Sequence, residues 1–376
     1  MPSLRLALSA MATRFEIVLH GDKPASLRAA AEEALEEIER LEAQLSLFRP
    51  SSEIAHLNAR AAKEPVRVSP ALFALLQRAR KLSEEAAGAF DITIAPLVRC
   101  WGFRDGTGHL PDPAALAAVR ATVGMSLVQL DPGNLTVRFL RAGVLLDLGA
   151  IGKGYAVERA AEILREAGVT SALIHGGTST VEAIGHPPDA ETWKIAVATP
   201  LGAPASPPAK SALPVANFDA VKNPSPESDV GRPTILPLPG GEGWGEGERA
   251  SNETAPLRFP APHSSRENLL ATVELKDEAM SVSGIHGKFF QAEGRTFGHI
   301  LDPRTGEPAN RAVLAVVVLP SATETDALST ALLTLGPEGH EKISSLRRGM
   351  RTLVAAEANG RLQVEAQGIR CETGVE

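Results

Sequence analysis

The sequence predicts an α+β fold in which mixed or antiparallel sheets pack with helices, and three observations lead to this class. Helix-like and strand-like patterns alternate along the chain. Two strand-like runs, at 172–175 and 180–184, are separated by a short glycine-containing turn, which is typical of a hairpin and disfavours a purely parallel, doubly wound sheet. Hydrophobic residues make up 44% of the 376 residues, so the chain can bury a large core.

Periodicity in hydrophobicity indicates the individual elements. Alternating apolar residues over 13–19 predict a half-buried strand, and apolar residues at three- and four-residue intervals over 22–48 predict a long helix with Pro24 near its start. A second helix is predicted from 69 to about 87, where Gly88 ends it. The remaining predicted strands are 143–148, 171–175, 193–198, 271–276 and 313–319, and the remaining predicted helices are 155–167 and 325–335.

One segment, residues 201–268, differs in composition from the rest of the chain. It holds twelve of the 28 prolines and the run GGEGWGEGE at 240–248, with neither a helical nor a strand period. Segments of this composition bury too little apolar surface to offset the entropy lost on ordering. We therefore predict a disordered insertion or a long surface loop, which divides one globular catalytic unit into residues 1–200 and 269–376.

Charge and cysteine content exclude several classes of protein. The chain has 38 Lys and Arg against 45 Asp and Glu, a net charge of −7, which argues against a generally basic surface for nucleic acid. Its two cysteines, Cys100 and Cys371, exclude a disulfide-stapled scaffold and a Cys-rich metal site. No run approaches the ~20 apolar residues of a transmembrane segment, and the N-terminus shows no signal peptide. The sequence as given predicts a cytoplasmic protein, or a periplasmic or membrane-anchored one if the true N-terminus is missing.

The first candidate site is the segment DLGAIGKGY at 147–155, which follows an apolar run and opens a predicted helix. Glycines let the backbone approach a ligand closely, helix N-terminal N–H groups favour anions, and Lys153 adds a charge suited to phosphate. The spacing is neither that of a P-loop nor that of a Rossmann dinucleotide turn. A phosphate site and a tight strand-to-helix turn with a solvated lysine both fit this pattern.

The second candidate site lies on the predicted helix at 325–335. Asp326 and Thr330 are four residues apart and so share one helical face. A carboxylate and a hydroxyl are hard oxygen ligands, which suit Mg²⁺ or Ca²⁺ better than zinc. The alternative is an aspartate that caps the helix and a threonine that bonds back to its own helix.

The third candidate site is the segment GHILDPRTGEP at 298–308, in which DPRTG has the composition of a turn. His299 stands between a predicted strand end and this turn. Its ordinary pKa lies near neutrality, so it is a candidate general base, and a hydrogen-bonded structural histidine is the alternative.

The fourth candidate site is the segment GAFDITIAPL at 88–97. Phe90 could cover a flat heteroaromatic ring, and Asp91 could accept hydrogen bonds from ring or ribose donors. A core phenylalanine and a helix cap are the structural alternative.

Taken together, the motifs resemble those of the ApbE family, the FAD:protein FMN transferases. The resemblance covers about 11–200 and 271–336 and leaves out the proline-rich insertion. The matching segments are MAT at 11–13, FRPSSEI at 48–54, LN at 57–58, AFDIT at 89–93, DLGAIGKGY at 147–155, SG at 283–284, HILDPRTG at 299–306 and DALST at 326–330. The chain has Thr178 where the family usually has the aspartate of a Gly-Gly-Asp turn, and the SG segment is followed by IHGK at 285–288, where the family more often has an acidic residue and a tyrosine.

The resemblance implies an activity and a set of residue roles. Family members bind FAD and Mg²⁺, cleave the diphosphate and attach FMN by a phosphoester to a Thr or Ser of a target flavoprotein with an FMN-binding domain, releasing AMP. By correspondence with the family motifs, the implied FAD contacts are Met11, Phe48, Ala89, Phe90, Asp91, Asp147, Lys153 and Ile300. The implied metal ligands are Ala150 through its carbonyl, Asp326, Thr330 and, as a weaker candidate, Thr323. Lys153 would offset charge that develops on the phosphates, and His299 would take the acceptor's proton.

Two alternatives to protein flavinylation remain open from the sequence. The same site could hydrolyse FAD to FMN and AMP with water as the acceptor. The chain could instead be a non-catalytic FAD-binding protein, an interpretation to which Thr178 and the long insertion contribute. The partners expected in the first case are FAD and an acceptor protein, without nucleic acid and without a transmembrane segment.

Overall fold

The structure, a computed structural model, describes residues 2–104, 106, 108–200, 269–285, 289–358 and 360–371. The predicted insertion at 201–268 lies outside the described residues. The strands are β1 (Ser3–Ala10), β2 (Thr13–His20), β3 (Val66–Arg67), β4 (Val128–Asp131), β5 (Thr136–Phe139), β6 (Ala172–Gly176), β7 (Thr180–Ile184), β8 (Trp193–Ala198), β9 (Leu269–Leu275), β10 (Ala279–Gly284), β11 (Phe289–Ala292), β12 (Arg295–Gly298), β13 (Leu314–Leu319), β14 (Arg351–Ala358) and β15 (Arg361–Gln367). The helices are α1 (Pro24–Leu45), α2 (Glu53–Arg60), α3 (Pro70–Glu85), α4 (Ala95–Cys100), α5 (Pro113–Arg120), α6 (Gly152–Glu166), α7 (Ala322–Leu335) and α8 (His340–Ser344).

An eight-stranded sheet in the order β1-β2-β6-β7-β10-β13-β14-β15 organises the fold. Each neighbouring pair in it is antiparallel, including the β6–β7 hairpin, in which Ala172 pairs with Ile184. Smaller two- and three-stranded sheets accompany it, so the predicted α+β class with antiparallel sheet is confirmed.

The central sheet is covered on both faces. Helices α1, α6 and α7 pack against one face, where they form the larger core together with residues such as Ile17, Ile174 and Val317. The antiparallel pair β8–β9 contributes to a second core on the opposite face, with Val181 and Val316. Because β13 lies between these two cores, all of its side chains are buried, which explains the unbroken apolar sequence LAVVVL.

Sequence signals at the helix ends agree with the structure. Pro24 and Pro70 occupy the first turns of α1 and α3, where a missing N–H costs nothing. The Ser52 hydroxyl accepts a hydrogen bond from the Ala55 amide at 2.9 Å and so caps α2. Helix α6 begins three residues before its predicted start, and α7 also begins three residues early.

The strand predicted at 143–148 is wrong. This segment forms neither a strand nor a helix, and it pairs with no strand among the described residues. The Asn58 side chain instead accepts from the Leu146 amide at 2.8 Å and donates to the Leu146 carbonyl at 2.9 Å. The Asn58 side chain thus satisfies both backbone polar groups of Leu146, which a neighbouring strand would otherwise pair.

A membrane-spanning helix is not found among the described residues, since none of their helices is both long and apolar enough.

Candidate active site

The centre of the candidate site is the contact between the first turn of α6 and helix α7. The Gly154 amide donates a hydrogen bond to Asp326 Oδ2 at 2.9 Å. Lys153 Nζ lies 3.9 Å from Asp326 Oδ1 and donates to the Gly149 carbonyl at 3.1 Å. The tertiary structure therefore joins two of the motifs that the sequence singles out, the glycine-rich turn and the Asp326 helix.

The Asp326 face of α7 carries several further oxygen atoms. Thr323, Asp326 and Thr330 are spaced three and four residues apart and lie along one face of the helix. The Thr330 hydroxyl lies 3.2 Å from the Asp326 carbonyl, to which it donates, and 3.2 Å from the Ser283 hydroxyl on β10. Thr323 Oγ1 is buried and has no hydrogen-bond partner among the described residues. An unpaired buried hydroxyl is costly, so Thr323 Oγ1 is a candidate ligand atom at this face.

The N-terminus of α7 is fixed to α6 by Glu158. Glu158 Oε2 accepts from the Thr323 amide at 2.9 Å and from the Ser321 hydroxyl at 2.5 Å, while Arg78 Nη1 lies 2.5 Å from Glu158 Oε1. Burial raises the pKa of the Glu158 carboxyl, but the hydrogen bond and charge of Arg78, with the bonds from Ser321 and Thr323, lower the pKa by more. Glu158 is therefore held as a carboxylate at the positive end of the α7 dipole.

Asp147 directly follows Leu146, whose backbone the Asn58 side chain holds. The Asp147 amide donates to the Ile92 carbonyl at 2.7 Å, and Asp147 Oδ1 accepts from the Gly149 amide at 2.8 Å. Burial raises the pKa of the Asp147 carboxyl, against the Gly149 hydrogen bond and the positive charges of Lys153 and Arg104. These contacts bring the 89–93 segment to the glycine-rich turn.

The Ala89-Phe90-Asp91 segment, which lies next to the glycine-rich turn, is buried. Ala89 and Phe90 belong to the core, and the Phe90 ring is enclosed, so it does not form an exposed stacking surface. Asp91 Oδ1 accepts from the Thr93 amide and hydroxyl at 2.8 and 2.6 Å, and Oδ2 accepts from the Met125 amide at 2.9 Å. Burial raises the pKa of Asp91, although these hydrogen bonds lower it. The structure thus shows a loop-organising role for the Asp91 carboxyl.

Met11 and Phe48 are brought together by Glu42 of α1. The Met11 amide donates to Glu42 Oε1 at 2.9 Å, and Arg49, which follows Phe48, donates to Glu42 Oε2 at 2.9 Å. Met11 lies in the β1–β2 turn with a φ of 50°. A non-glycine residue in the left-handed region costs energy, and the Glu42 hydrogen bond helps to hold it there.

Sequence reasoning missed Arg104. Its guanidinium lies over the Phe48 ring, with Cζ 5.4 Å from the ring centroid. Phe48 is 47% exposed, an unusually large exposure for a phenylalanine. The available signal was the position of Arg104 directly after the aromatic turn Trp101-Gly102-Phe103, a position that by itself suggests no ligand.

His299 and Ile300 follow β12, which pairs with β11 in a separate two-stranded sheet. Gly298 packs near Ile285, the residue after β10, and the Ile300 carbonyl accepts from the Ala309 amide at 2.8 Å. Both residues are half-buried, and Ile300 packs against the larger core. His299 is therefore placed between a strand and a turn, as predicted.

The candidate metal ligands are oxygen atoms from both the glycine-rich turn and helix α7. In the described ranges, no group of three or more His, Cys, Asp or Glu residues could hold a metal. The residues predicted as ligands instead supply one carboxylate from Asp326, hydroxyls from Thr330 and Thr323, and the Ala150 carbonyl, to which no described residue donates a hydrogen bond. Hard oxygen donors in this small number fit Mg²⁺, which keeps water and substrate phosphates as its other ligands.

Two surface cavities, of about 350 and 490 Å³, lie beside Tyr155 and beside Asp91. The described residues that line them do not include Asp326 or Lys153. The candidate site is marked by the contacts of Lys153 and the Gly154 amide with Asp326, and not by cavity volume.

Comparison with known proteins finds relatives along most of the chain and the same fold in solved structures. A curated relative from Treponema pallidum, named FAD:protein FMN transferase, is 28% identical over 343 residues, which is 89% of this chain and 79% of the relative. The crystal structure of the ApbE protein from Thermotoga maritima superposes with a TM-score of 0.71 at 24% identity, covering 96% of each chain. That of the Pseudomonas stutzeri flavinyl transferase ApbE, apo form, gives a TM-score of 0.70 at 24% identity, covering 98% of this chain and 95% of the other.

The fold is therefore that of the flavin transferases. A sequence model of the ApbE family matches residues 11–221 and 240–354, and the chain belongs to the ApbE family.

Proposed function

We propose that this protein is a Mg²⁺-dependent transferase that moves FMN from FAD to a Thr or Ser of a target flavoprotein, forming a phosphoester and releasing AMP. The observation that carries the proposal is the convergence of the Lys153 ammonium group and the Gly154 amide on the Asp326 carboxylate. The relatives' shared name, FAD:protein FMN transferase, supports the choice of flavin substrate and of protein acceptor.

The α6–α7 contact would bind the diphosphate of FAD. Asp326, Thr330 and the Ala150 carbonyl would hold Mg²⁺, with Thr323 as a further oxygen donor, and the bound ion would stabilise negative charge on the phosphates. Lys153, which in this structure is close to Asp326, would add a second positive charge to the same group.

The remaining residues would position the flavin nucleotide. The exposed Phe48 ring offers an apolar surface, and Met11 and Ile300 lie half-buried at the edge of the larger core. Ala89, Phe90 and Asp91 have buried side chains, so a contact there would be made by their backbone. Asp147 is half-buried beside Lys153 and would accept hydrogen bonds from the nucleotide.

His299 would act as the general base of the transfer. The acceptor hydroxyl loses its proton to the imidazole, its oxygen forms a bond to the flavin-side phosphorus, and the bond from that phosphorus to the bridging oxygen breaks, so that AMP leaves with the bridging oxygen. An imidazole with a pKa near neutrality is suited to this proton transfer.

The proposal is tested by incubating the protein with FAD, Mg²⁺ and a protein that contains an FMN-binding domain. We expect a covalent flavin–protein product, visible as in-gel fluorescence, together with one AMP per flavin attached. Labelled flavin released as free FMN, without a protein product, would show FAD hydrolysis instead. FAD binding without AMP release at any Mg²⁺ concentration would show a non-catalytic flavin-binding protein.

The Asp326→Asn variant tests the assignment of the site. The amide oxygen of asparagine can still accept from the Gly154 amide, so the fold is expected to persist, while the charge that faces Lys153 and the cation is lost. We expect at least a hundredfold loss of product formation, since removal of one electrostatic group commonly costs this much. Asp131→Asn on the exposed end of β4 is the matched control and should leave the rate unchanged. Full activity of Asp326→Asn would contradict the proposed metal site.

A further inference from the structure

Arg104 is held at the site by a rigid anchor. It follows the turn that contains Trp101 and Phe103, whose rings are buried. Trp101 Nε1 donates to the Gly306 carbonyl at 2.7 Å, and the Trp101 ring lies 5.7 Å from the ring of Phe297 on β12, centroid to centroid. The start of this loop is thus tied to the segment that carries His299, and Arg104 projects from a fixed base.

The guanidinium of Arg104 is satisfied differently from those of Arg49 and Arg304. Arg49 is paired with Glu42, and Arg304 forms two hydrogen bonds, of 2.8 and 2.6 Å, with Asp302. Arg104 forms no hydrogen bond or ion pair with another described residue. Its guanidinium lies over the face of the Phe48 ring. A guanidinium stacked on an aromatic ring keeps its N–H donors at its edge available for an anion.

Arg104 shares its nearest acidic group with a second cation. Arg104 and Lys153 both act on the Asp147 carboxyl. Lys153 also faces Asp326, whereas Arg104 has no carboxylate in direct contact among the described residues. A cation with free donors beside an exposed aromatic ring is suited to a ligand that combines a flat ring with a phosphate.

We propose that Arg104 is a substrate-binding residue that donates hydrogen bonds to a phosphate oxygen of the dinucleotide, with Phe48 holding its guanidinium in place. The inference rests on the proposed function, because it assumes that FAD binds at the α6–α7 contact. It adds to the predicted set a residue that binds the phosphate from the Phe48 side of the site, in addition to Lys153.

The test measures dissociation constants of FAD, FMN and riboflavin, by flavin fluorescence, for the wild-type protein and for Arg104→Gln. A hydrogen bond to a charged phosphate is lost, so we expect FAD and FMN to bind at least tenfold more weakly. Riboflavin carries no phosphate, and its affinity should change by less than about twofold. Arg104→Lys keeps the charge without the planar fork and should give an intermediate loss.

Arg361→Gln, on the edge strand β15, is the matched control and should bind all three flavins like the wild type. Phe48→Leu should weaken FAD binding less than Arg104→Gln does. Unchanged FAD affinity in Arg104→Gln would overturn the inference while leaving the proposed function intact, and so would an equal loss for riboflavin, which would indicate a role toward the ring. If the wild-type protein failed to bind FAD, the proposed function and this inference would both fail.

Discussion

At the scale of single residues, Gly154 shows how a glycine in a ligand-like motif can serve packing. The glycine-rich turn predicts close approach of the backbone to a ligand. In the structure a Cβ on Gly154 would lie 2.2 Å from the Ala322 carbonyl oxygen and 2.7 Å from Asp326 Cβ. Gly154 therefore permits helix α7 to approach α6, and it is this approach that brings Asp326 to the Gly154 amide.

We expect Gly154→Ala to destabilise the protein by about 1–3 kcal/mol, because the added methyl group must push the two helices apart. It should also abolish flavin transfer, since Asp326 would move with α7. Urea unfolding and the in-gel fluorescence assay measure the two effects. Gly152→Ala, where the nearest atom to the added Cβ is 3.9 Å away, is the control for stability and should not lower it. Equal stability of the two variants would contradict the packing role.

At the scale of elements, the position of α7 depends on its capping by another helix. Ser321 caps α7 by accepting from the Glu324 amide at 3.1 Å, and Glu158 of α6 adds a carboxylate that accepts from the Thr323 amide. Arg347 strengthens the same region, with Nε 2.9 Å from Glu324 and Nη2 2.7 Å from Glu85 of α3. The helix that carries Asp326 is thus fixed at its first turn by two ion-pair groups.

Glu158→Gln is expected to lower the free energy of unfolding by about 1–3 kcal/mol at pH 7, because a charged acceptor of several hydrogen bonds is lost. The pKa of Glu158 is lowered in the folded state, so the carboxylate contributes its stability above the unfolded pKa and loses it as the pH falls. The difference in the free energy of unfolding between wild type and Glu158→Gln should therefore shrink below about pH 4.5. Urea unfolding between pH 3.5 and 7, measured at ~0.5 unit intervals, follows this difference.

Glu162→Gln, one turn further along α6, is the matched control for Glu158→Gln. Its carboxylate pairs with Arg159 at the surface, and surface pairs contribute about 0–1 kcal/mol. A difference for Glu158→Gln that did not depend on pH would show that the carboxylate charge is not what holds α7.

At the scale of the whole molecule, the helix-covered face of the sheet encloses an acidic residue. Glu182 of β7 is 1% exposed, and Arg165 of α6 lies 2.8 Å from its Oε1. Burial raises the pKa of Glu182 to about 8, more than the attraction of Arg165 lowers it. Stability in this part of the core is therefore linked to pH.

The sign of this linkage follows from proton binding. Between the ordinary pKa of 4.5 and about 8, the folded state holds a proton on Glu182 that the unfolded state has lost. The free energy of unfolding then falls as the pH rises across this window, by up to about 1.4 kcal/mol per pH unit from this group. Glu182→Gln cannot ionise, so the variant should gain stability relative to wild type between pH 5.5 and 8, at ~0.5 unit intervals of urea unfolding. Glu166 is exposed at the end of α6, so the free energy of unfolding of Glu166→Gln should change with pH as that of wild type does. The same pH dependence in Glu182→Gln would contradict the raised pKa of Glu182.

The sequence alone determined the features that depend on neighbours in the chain. Helical spacing placed Asp326 and Thr330 on one face, and alternation and turn composition gave the β6–β7 hairpin. The order of the local motifs was sufficient to identify the ApbE family. The domain boundaries at 1–200 and 269–376 remain a prediction. These features are readable because the period of a helix or strand is a property of the chain itself.

Only the tertiary structure decided which distant residues meet. It joined Lys153 to Asp326, placed Arg104 over Phe48, and enclosed the Phe90 ring in the core. It also replaced the predicted strand at 143–148 with an irregular segment whose Leu146 backbone is held by Asn58. Contacts of this kind depend on how helices and sheet pack together, and side-chain burial and charge in a site follow from that packing and not from local sequence.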